Sequence, residues 1–260
     1  MDYQPLPAHK ARFDRLCRQA MLARPDSGEG IGTLGEKRMH AVIKQFLCDA
    51  PECQEVKLEG TRFVSDIRIG NEIYEVQTGD FYPMKKKIAY YLEHTDCTVT
   101  VVHPIPVRRW MSWVDPESME IGPRKRVSRI GRPIDLLPQL LPLLPHLQNP
   151  RLSYRLLLLE TQDFRLLNGR SPDRKRRASH YERIPLSLQG ELSLSSPAKI
   201  AALLPADLPE HFTVKEFSAL SKIRGRDAYA AVRALVGLGI AVEAEPIGRS
   251  MGFRLTPPTQ

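Results

Sequence analysis

The sequence is poor in cysteine and has no long apolar run, and each shortage excludes a class of protein. Four cysteines in 260 residues are too few for a disulfide framework. The longest apolar stretches, 136–147 and 156–159, are short or interrupted by proline, so neither could cross a bilayer as a helix. Residues 1–22 are polar and lack the apolar core of a signal peptide. We therefore expect a cytoplasmic protein that is not embedded in a membrane.

Two of the cysteines, Cys48 and Cys53, lie close together in the sequence. Their C-x4-C spacing could begin a zinc site, but no second pair of ligands completes it, because the nearest histidines are scattered. Reduced, partly buried thiols are the simpler interpretation. We expect no structural zinc here.

The positive charge of the chain is concentrated in its middle. Between Glu120 and Pro185 there are 14 lysines and arginines against six acidic residues, an excess equal to the net charge of the whole chain, +8. Arginine-rich segments of this kind suit contacts with nucleic-acid phosphates. The residues expected to make them are Arg124, Arg126, Arg174, Lys175, Arg176 and Arg177. The alternative is a pair of solvated basic loops without a partner.

A tight hairpin is predicted over residues 63–77. The flanks alternate and are rich in β-branched and aromatic residues, and Gly70-Asn71 suits a two-residue turn that needs positive φ. Such a turn pairs Asp66 with Glu75 across the strands and places Gln77 on the same face.

Two carboxylates directly opposite each other have Cβ atoms only ~5 Å apart and destabilise a sheet unless a cation lies between them. A hard divalent ion is the natural candidate, so the sequence predicts that Asp66 and Glu75 bind Mg²⁺ or Mn²⁺. The alternative is an exposed hairpin in which Arg68, on the same face, pairs with one of the carboxylates.

The segments around this hairpin predict an α+β core. Periodic apolar residues indicate a helix that begins near Gly35, with Glu36 in its first turn, and another over 84–92. A continuous apolar run over 97–105 is typical of a buried strand. The order helix, three strands, helix, strand forms the core. Residues 106–190 are expected to elaborate it.

Near the C-terminus the predicted order is helix, turn, helix and a two-stranded wing, which resembles a winged helix-turn-helix over roughly 208–257. Thr213 and Glu216 form a capping box at the start of the first helix. The resemblance implies DNA contacts from the second helix and the wing, through Arg224, Arg226, Arg233 and Arg249. Winged helices also serve as protein-binding or dimerisation modules, so a homodimer is a further expectation.

Glu36 on a helix, Asp66 on a strand, Glu75-x-Gln77 on the next strand and a following helix with three lysines resemble the PD-(D/E)XK nucleases. The resemblance implies a restriction-endonuclease-like mixed sheet, with Asp66 and Glu75 as metal ligands and Glu36 as an auxiliary ligand. The family's lysine is replaced here by Gln77. In some members the lysine has moved to a neighbouring helix, where Lys85, Lys86 and Lys87 are the candidates and Lys86 is our choice.

The sequence therefore predicts a nuclease-like domain with a basic insertion (residues 1–195) and a winged helix domain (205–260). The expected function is Mg²⁺-dependent hydrolysis of phosphodiester bonds in DNA. Two alternatives are a DNA-binding regulator that has lost its metal site and a protein-interaction module. Tyr82, Tyr90 and Tyr91 are expected in the core, with stacking on bases as the alternative.

Overall fold

The structure is a computed structural model, and it describes residues 3–22, 35–169 and 178–257. Its elements follow the apolar patterns of the sequence closely. The helices are α1 (Pro7–Leu22), α2 (Gly35–Leu47), α3 (Lys85–His94), a long 3-10 helix (Pro133–His146), α4 (Pro197–Ala201), α5 (Val214–Ser221) and α6 (Arg226–Gly237), with short 3-10 turns at Pro51–Cys53 and Tyr82–Met84. The strands are β1 (Gln54–Lys57), β2 (Val64–Ile69), β3 (Glu72–Val76), β4 (Thr98–Val114), β5 (Lys125–Val127), β6 (Leu152–Leu166), β7 (Ser179–Leu194), β8 (His211–Thr213), β9 (Ala241–Ile247) and β10 (Ser250–Leu255).

Seven strands form one large mixed sheet in the order β1-β2-β3-β4-β6-β7, with β5 paired to β4. β2 and β3 are antiparallel, whereas β3 and β4 are parallel, from Glu72 opposite Thr98 to Val76 opposite Val102. A parallel pair needs a crossover, and α3 provides it between β3 and β4. The α+β class with a large mixed sheet, predicted from the sequence, is confirmed.

Residues 106–190 differ from the elaboration that the sequence suggested. β4 does not stop at Ile105 but continues to Val114, and β6 and β7 are long strands of the same sheet. The turn after β4 does begin at Asp115, whose Oδ1 accepts hydrogen bonds from the backbone N–H groups of the next residues. The sequence analysis did not show that strands this long pair with the core.

The chain divides into two compact units, each assembled from three segments: Met1–Val56, His103–Gly131 and Leu156–Leu192 in the first, and Lys57–Val102, Arg132–Arg155 and Ser193–Gln260 in the second. In the first unit α1 packs on α2, and the ring centroids of Phe13 and Phe46 lie 5.1 Å apart in an edge-on arrangement. Asp14 on α1 also accepts a hydrogen bond from the backbone N–H of Leu188 on β7, so α1 is tied to the sheet.

The second unit contains the β2–β3 hairpin, α3, the long 3-10 helix and the C-terminal segment. The 3-10 helix contains prolines at positions 138, 142 and 145, which lack the N–H that a regular α-helix needs. α6 packs against it at Gly237, where an added Cβ would lie 2.6 Å from Leu144 Cδ2. Glycine at this position therefore allows the two helices to approach closely.

The C-terminal segment forms a small sheet of order β8-β10-β9 beside α5 and α6. Thr213 caps α5 as the sequence predicts, because its hydroxyl accepts from Glu216 N while the Glu216 carboxylate accepts from Thr213 N at 2.7 Å. No helix in the described part of the chain is both long and apolar enough to cross a membrane.

Candidate functional site

The β2–β3 hairpin has the register that the sequence predicts. Ile67 pairs with Tyr74, Arg68 with Ile73, and Ile69 with Glu72, and Gly70 in the turn has a φ of 58°. The same register, continued one residue beyond these pairs, would place Asp66 opposite Glu75.

Asp66 also bonds to the neighbouring strand directly. Its Oδ2 accepts a hydrogen bond of 2.8 Å from the backbone N–H of Val76. Arg68 does not neutralise the carboxylate of Glu75, because its Nε donates to the carbonyl of Gly70 and the bonds to Glu75 come from elsewhere. Residues of α3, rather than Arg68, are thus the hydrogen-bond donors described for Glu75.

Glu75 lies in a pocket of polar groups that α3 provides. Its side chain is buried, with 3% of the residue exposed. Lys87 Nζ lies 2.6 Å from Oε2, and the hydroxyl of Tyr91 donates to Oε1 at 3.0 Å. Lys87 and Tyr91 are four residues apart, so they share one face of the helix, and this face is turned toward β3.

The surroundings of Glu75 raise its pKa above the ordinary value for a glutamate. Burial raises the pKa of Glu75, and the negative charge of Asp66 raises it further, against the opposing effects of Lys87 and Tyr91. The result is a pKa of about 7. The same site raises the pKa of the Tyr91 hydroxyl through burial and the adjacent Glu75. At Glu75, therefore, Lys87 and Tyr91 do not fully offset burial and the charge of Asp66.

The amide of Gln77 has a structural partner. Its Nε2 donates to the carbonyl oxygen of Asp80, and its backbone N–H continues the pairing with β4 by donating to Val102 at 2.9 Å. A positive charge beside Glu75 comes from α3. The lysine at the carboxylate is Lys87, whereas Lys86, the residue chosen from the sequence, is exposed one position earlier.

The donor set of Asp66 and Glu75 fits a hard divalent ion, because Mg²⁺ commonly takes one or two carboxylates and completes its shell with water and substrate phosphate. Their mutual repulsion is the feature that a cation would relieve. Among the residues that the structure describes, no group of three or more His, Cys, Asp or Glu side chains converges. Glu36 lies in the first turn of α2, but its side chain falls outside the described part. The described cysteines are all free thiols.

The basic residues of the middle segment are placed only in part. Arg124 stacks on Trp110, with its guanidinium carbon 4.1 Å from the ring centre, and also lies 3.4 Å from Glu160. Arg126 is exposed on β5. The other predicted contacts, Arg174, Lys175, Arg176 and Arg177, lie outside the described residues.

A buried charge cluster in the first unit escaped the sequence analysis. Asp163, with 2% exposed, accepts two hydrogen bonds from Arg183 at 2.6 and 3.1 Å and one from Arg109. Burial acts to raise the pKa of Asp163, but the two arginines outweigh it and the pKa is lowered. These residues come from three distant segments, so no local spacing signals their contact. Tyr91 was also missed as a site residue, although its i+4 spacing from Lys87 was visible.

The C-terminal arginines differ in their availability. Arg224, Arg226 and Arg249 are exposed, whereas Arg233 on α6 forms an ion pair of 2.5 Å with Glu243 on β9. Beside Arg226, Tyr229 presents an exposed aromatic ring on the same helix. One helix thus offers both cationic and aromatic groups to a partner.

Residues 37–195 match the family described as "Domain of unknown function (DUF8091)". This match covers more than half of the chain, so the protein belongs to that family. The comparison with curated proteins and the comparison with solved structures each gave no match.

Proposed function

We propose that this member of the DUF8091 family is a metal-dependent endonuclease that hydrolyses phosphodiester bonds in DNA, with a restriction-endonuclease-like core and a C-terminal winged helix. The observation that carries the proposal is the 2.6 Å contact between Lys87 and Glu75, beside Asp66. This contact brings a lysine to the carboxylate pair, although the Glu75-x-Gln77 motif has no lysine of its own.

The order of elements supports this proposal. α2 precedes three strands, α3 follows β3, and β4 then lies parallel to β3. This is the order that the resemblance to PD-(D/E)XK nucleases implies. Asp66 and Glu75 come from neighbouring strands and Lys87 from the crossover helix, which is the place where a displaced lysine is expected.

Cleavage of a phosphodiester builds negative charge on the phosphate oxygens and on the leaving oxygen. Mg²⁺ or Mn²⁺, held by Asp66 and Glu75, would offset that charge and lower the pKa of a bound water. The ammonium group of Lys87 adds a second positive charge at the same carboxylate. Tyr91 fixes the orientation of Glu75 by donating to its other oxygen.

The C-terminal segment would deliver the enzyme to duplex DNA. β8, α5, α6, β9 and β10 follow the order of a winged helix, and one side of α6 is left open with Arg226 and Tyr229 upon it. Arg224 before the helix and Arg249 at the tip of the wing are also exposed. Docking of a protein, including a second copy of the chain, is the alternative use of this surface.

A second candidate function is that of a DNA-binding regulator without catalysis. Two observations favour it: Gln77 is engaged with the backbone of Asp80, and both oxygens of Glu75 already accept hydrogen bonds from the protein. In that case Lys87 would act as an internal substitute for the metal ion.

Cleavage assays separate the two functions. We would incubate the wild type and the variants Glu75→Ala, Lys87→Ala, Lys86→Ala and Gln77→Ala with duplex, single-stranded and branched DNA in Mg²⁺ or Mn²⁺. The endonuclease requires cleavage by the wild type, its loss in Glu75→Ala and Lys87→Ala, and its retention in Lys86→Ala at saturating DNA. A wild type that binds duplex DNA but cleaves none of these substrates would establish the regulator.

Calorimetric titration tests the metal site without relying on activity. Mg²⁺ or Mn²⁺ should bind the wild type and fail to bind Asp66→Ala. The matched control is Glu72→Ala, which removes an exposed carboxylate from the same β3 strand and should leave binding unchanged. Equal titrations for wild type and Asp66→Ala would rule out the predicted ligands.

A further inference from the structure

Three tyrosines near the carboxylate site have three different environments. Tyr91 is buried and bonded to Glu75. Tyr90 packs against Phe63, with ring centroids 5.2 Å apart, and against His94. Tyr82 is 70% exposed, the largest exposure among the large apolar side chains in the described residues. Of the three, only Tyr82 offers a free ring face.

The exposed ring stands on an anchored turn. The backbone N–H of Tyr82 donates to Asp80 Oδ1 at 2.6 Å, and the carbonyl of Asp80 accepts from the side chain of Gln77 on the extension of β3. Phe81, directly before Tyr82, is fully buried, and Met84, two residues after Tyr82, is also buried. The hydrogen bonds of the turn and the buried side chains before and after it therefore fix the position of the exposed Tyr82 ring.

The turn that carries Tyr82 is followed directly by the positively charged start of α3. Lys85 and Lys86 are both exposed in the first turn of α3, while Lys87 points to Glu75. The N-terminus of a helix also adds a partial positive charge. An aromatic face followed by cationic groups is the combination that binds single-stranded nucleic acid, through base stacking and phosphate contacts.

We propose that Tyr82 stacks on an unpaired nucleobase beside the phosphate that Asp66, Glu75 and Lys87 address, so that the substrate is nucleic acid with a single-stranded region. This inference rests on the proposed function, because it assigns a substrate class to the same site. Within an intact duplex both faces of each base are covered by their neighbours. A tyrosine ring can cover a base face only at a gap, an end, a branch or a single strand.

The probe is a short single-stranded DNA containing 2-aminopurine, whose fluorescence is quenched by stacking. Binding is measured without added metal, so that affinity is separate from cleavage. Tyr82→Leu keeps an apolar side chain but removes the π face, and we expect it to weaken binding about 5- to 100-fold and to abolish the tyrosine-dependent quenching. Tyr82→Phe keeps the ring and is the matched control, with an affinity within about twofold of the wild type. All three proteins should fold equally, because the side chain is exposed.

The outcomes distinguish the inference from the function on which it rests. If the wild type cleaves DNA but Tyr82→Leu binds the probe as the wild type does, the stacking role is wrong and the endonuclease stands. If the wild type cleaves nothing but Tyr82→Leu loses binding and quenching, the stacking role stands and the endonuclease fails. A wild type that does not bind the single strand at all would overturn the inference.

Discussion

Two buried carboxylates in this protein have opposite electrostatic environments. Glu75 and Asp163 are almost equally inaccessible to water, yet the pKa of Glu75 is raised to about 7 and that of Asp163 is lowered. Asp163 faces two guanidinium groups, whereas Glu75 faces one ammonium group, one hydroxyl and a second carboxylate. Burial alone would raise both pKa values, so the partners determine the difference.

The difference separates a structural cluster from a candidate site. A buried acid whose charge is met by two arginines needs nothing further from solution. Glu75 keeps a raised pKa although Lys87 lies beside it, and shifted pKa values of this kind cluster at functional sites. In the proposed function Glu75 is therefore a site residue, whereas Asp163 is a stabilising one.

The largest expected effect is on folding. Replacing Asp163 by Ala leaves Arg109 and Arg183 without their buried counter-ion, so the free energy of unfolding should fall by about 3–5 kcal/mol. Urea denaturation followed by circular dichroism measures it. Glu72→Ala, which removes an exposed acid, serves as the control and should change stability by less than about 0.5 kcal/mol. A small loss in Asp163→Ala would mean that the two arginines are adequately solvated and that the comparison is wrong.

The next effect is on catalysis. If Lys87 supplies the charge that Gln77 lacks, Lys87→Ala should lower the rate of Mg²⁺-dependent DNA cleavage by about 10²–10³-fold, the loss typical of one electrostatic group. Lys86→Ala, one residue away and exposed, should retain nearly the full rate once the DNA is saturating. The rates are measured under single-turnover conditions, which isolate the chemical step. Equal losses in the two variants would indicate a diffuse effect of positive charge rather than a positioned lysine.

Much of the local structure was predictable from the sequence. The turn at Gly70 and the alternation around it determine the register of the hairpin, and the register determines that Asp66 and Glu75 share a face. The capping box at Thr213 likewise depends on residues three positions apart. Signals of this kind are local, because they arise from backbone conformation and side-chain periodicity.

The choice among the three lysines and the Asp163 cluster was not predictable. Adjacent helical residues differ by about 100° in direction, so the lysine that meets Glu75 depends on the rotation of α3 against the sheet. The arginines of Asp163 come from β4 and β7, on separate strands that meet only in the folded sheet. Both contacts are set by tertiary packing, which local sequence spacing does not encode.

The stability contributed by the charge of Asp163 should depend on pH. The pKa of Asp163 is lower in the folded than in the unfolded protein, so its charge stabilises the fold above the unfolded value of about 3.9. That contribution is lost as the pH falls through the folded pKa. The difference in unfolding free energy between the wild type and Asp163→Asn should therefore be constant from pH 7 to about pH 5 and shrink at lower pH. A difference that stays constant below pH 3 would show that the ionised form is not what the arginines stabilise.

The smallest effect on the free energy of unfolding is expected at Asp66, where removing the charge should not destabilise the fold as it does at Asp163. Asp66→Asn removes a negative charge from beside Glu75, but its side-chain oxygen can still accept the hydrogen bond from Val76 N. Relief of the repulsion should leave the unfolding free energy within about 1 kcal/mol of the wild type, or slightly higher, as is common when a functional site is neutralised. The same change should abolish any rise in melting temperature caused by Mg²⁺, which Glu72→Ala should preserve. If Asp66→Asn instead destabilised the protein as strongly as Asp163→Ala, Asp66 and Glu75 would have a stabilising role like that of Asp163. The distinction between the two regions would then be lost.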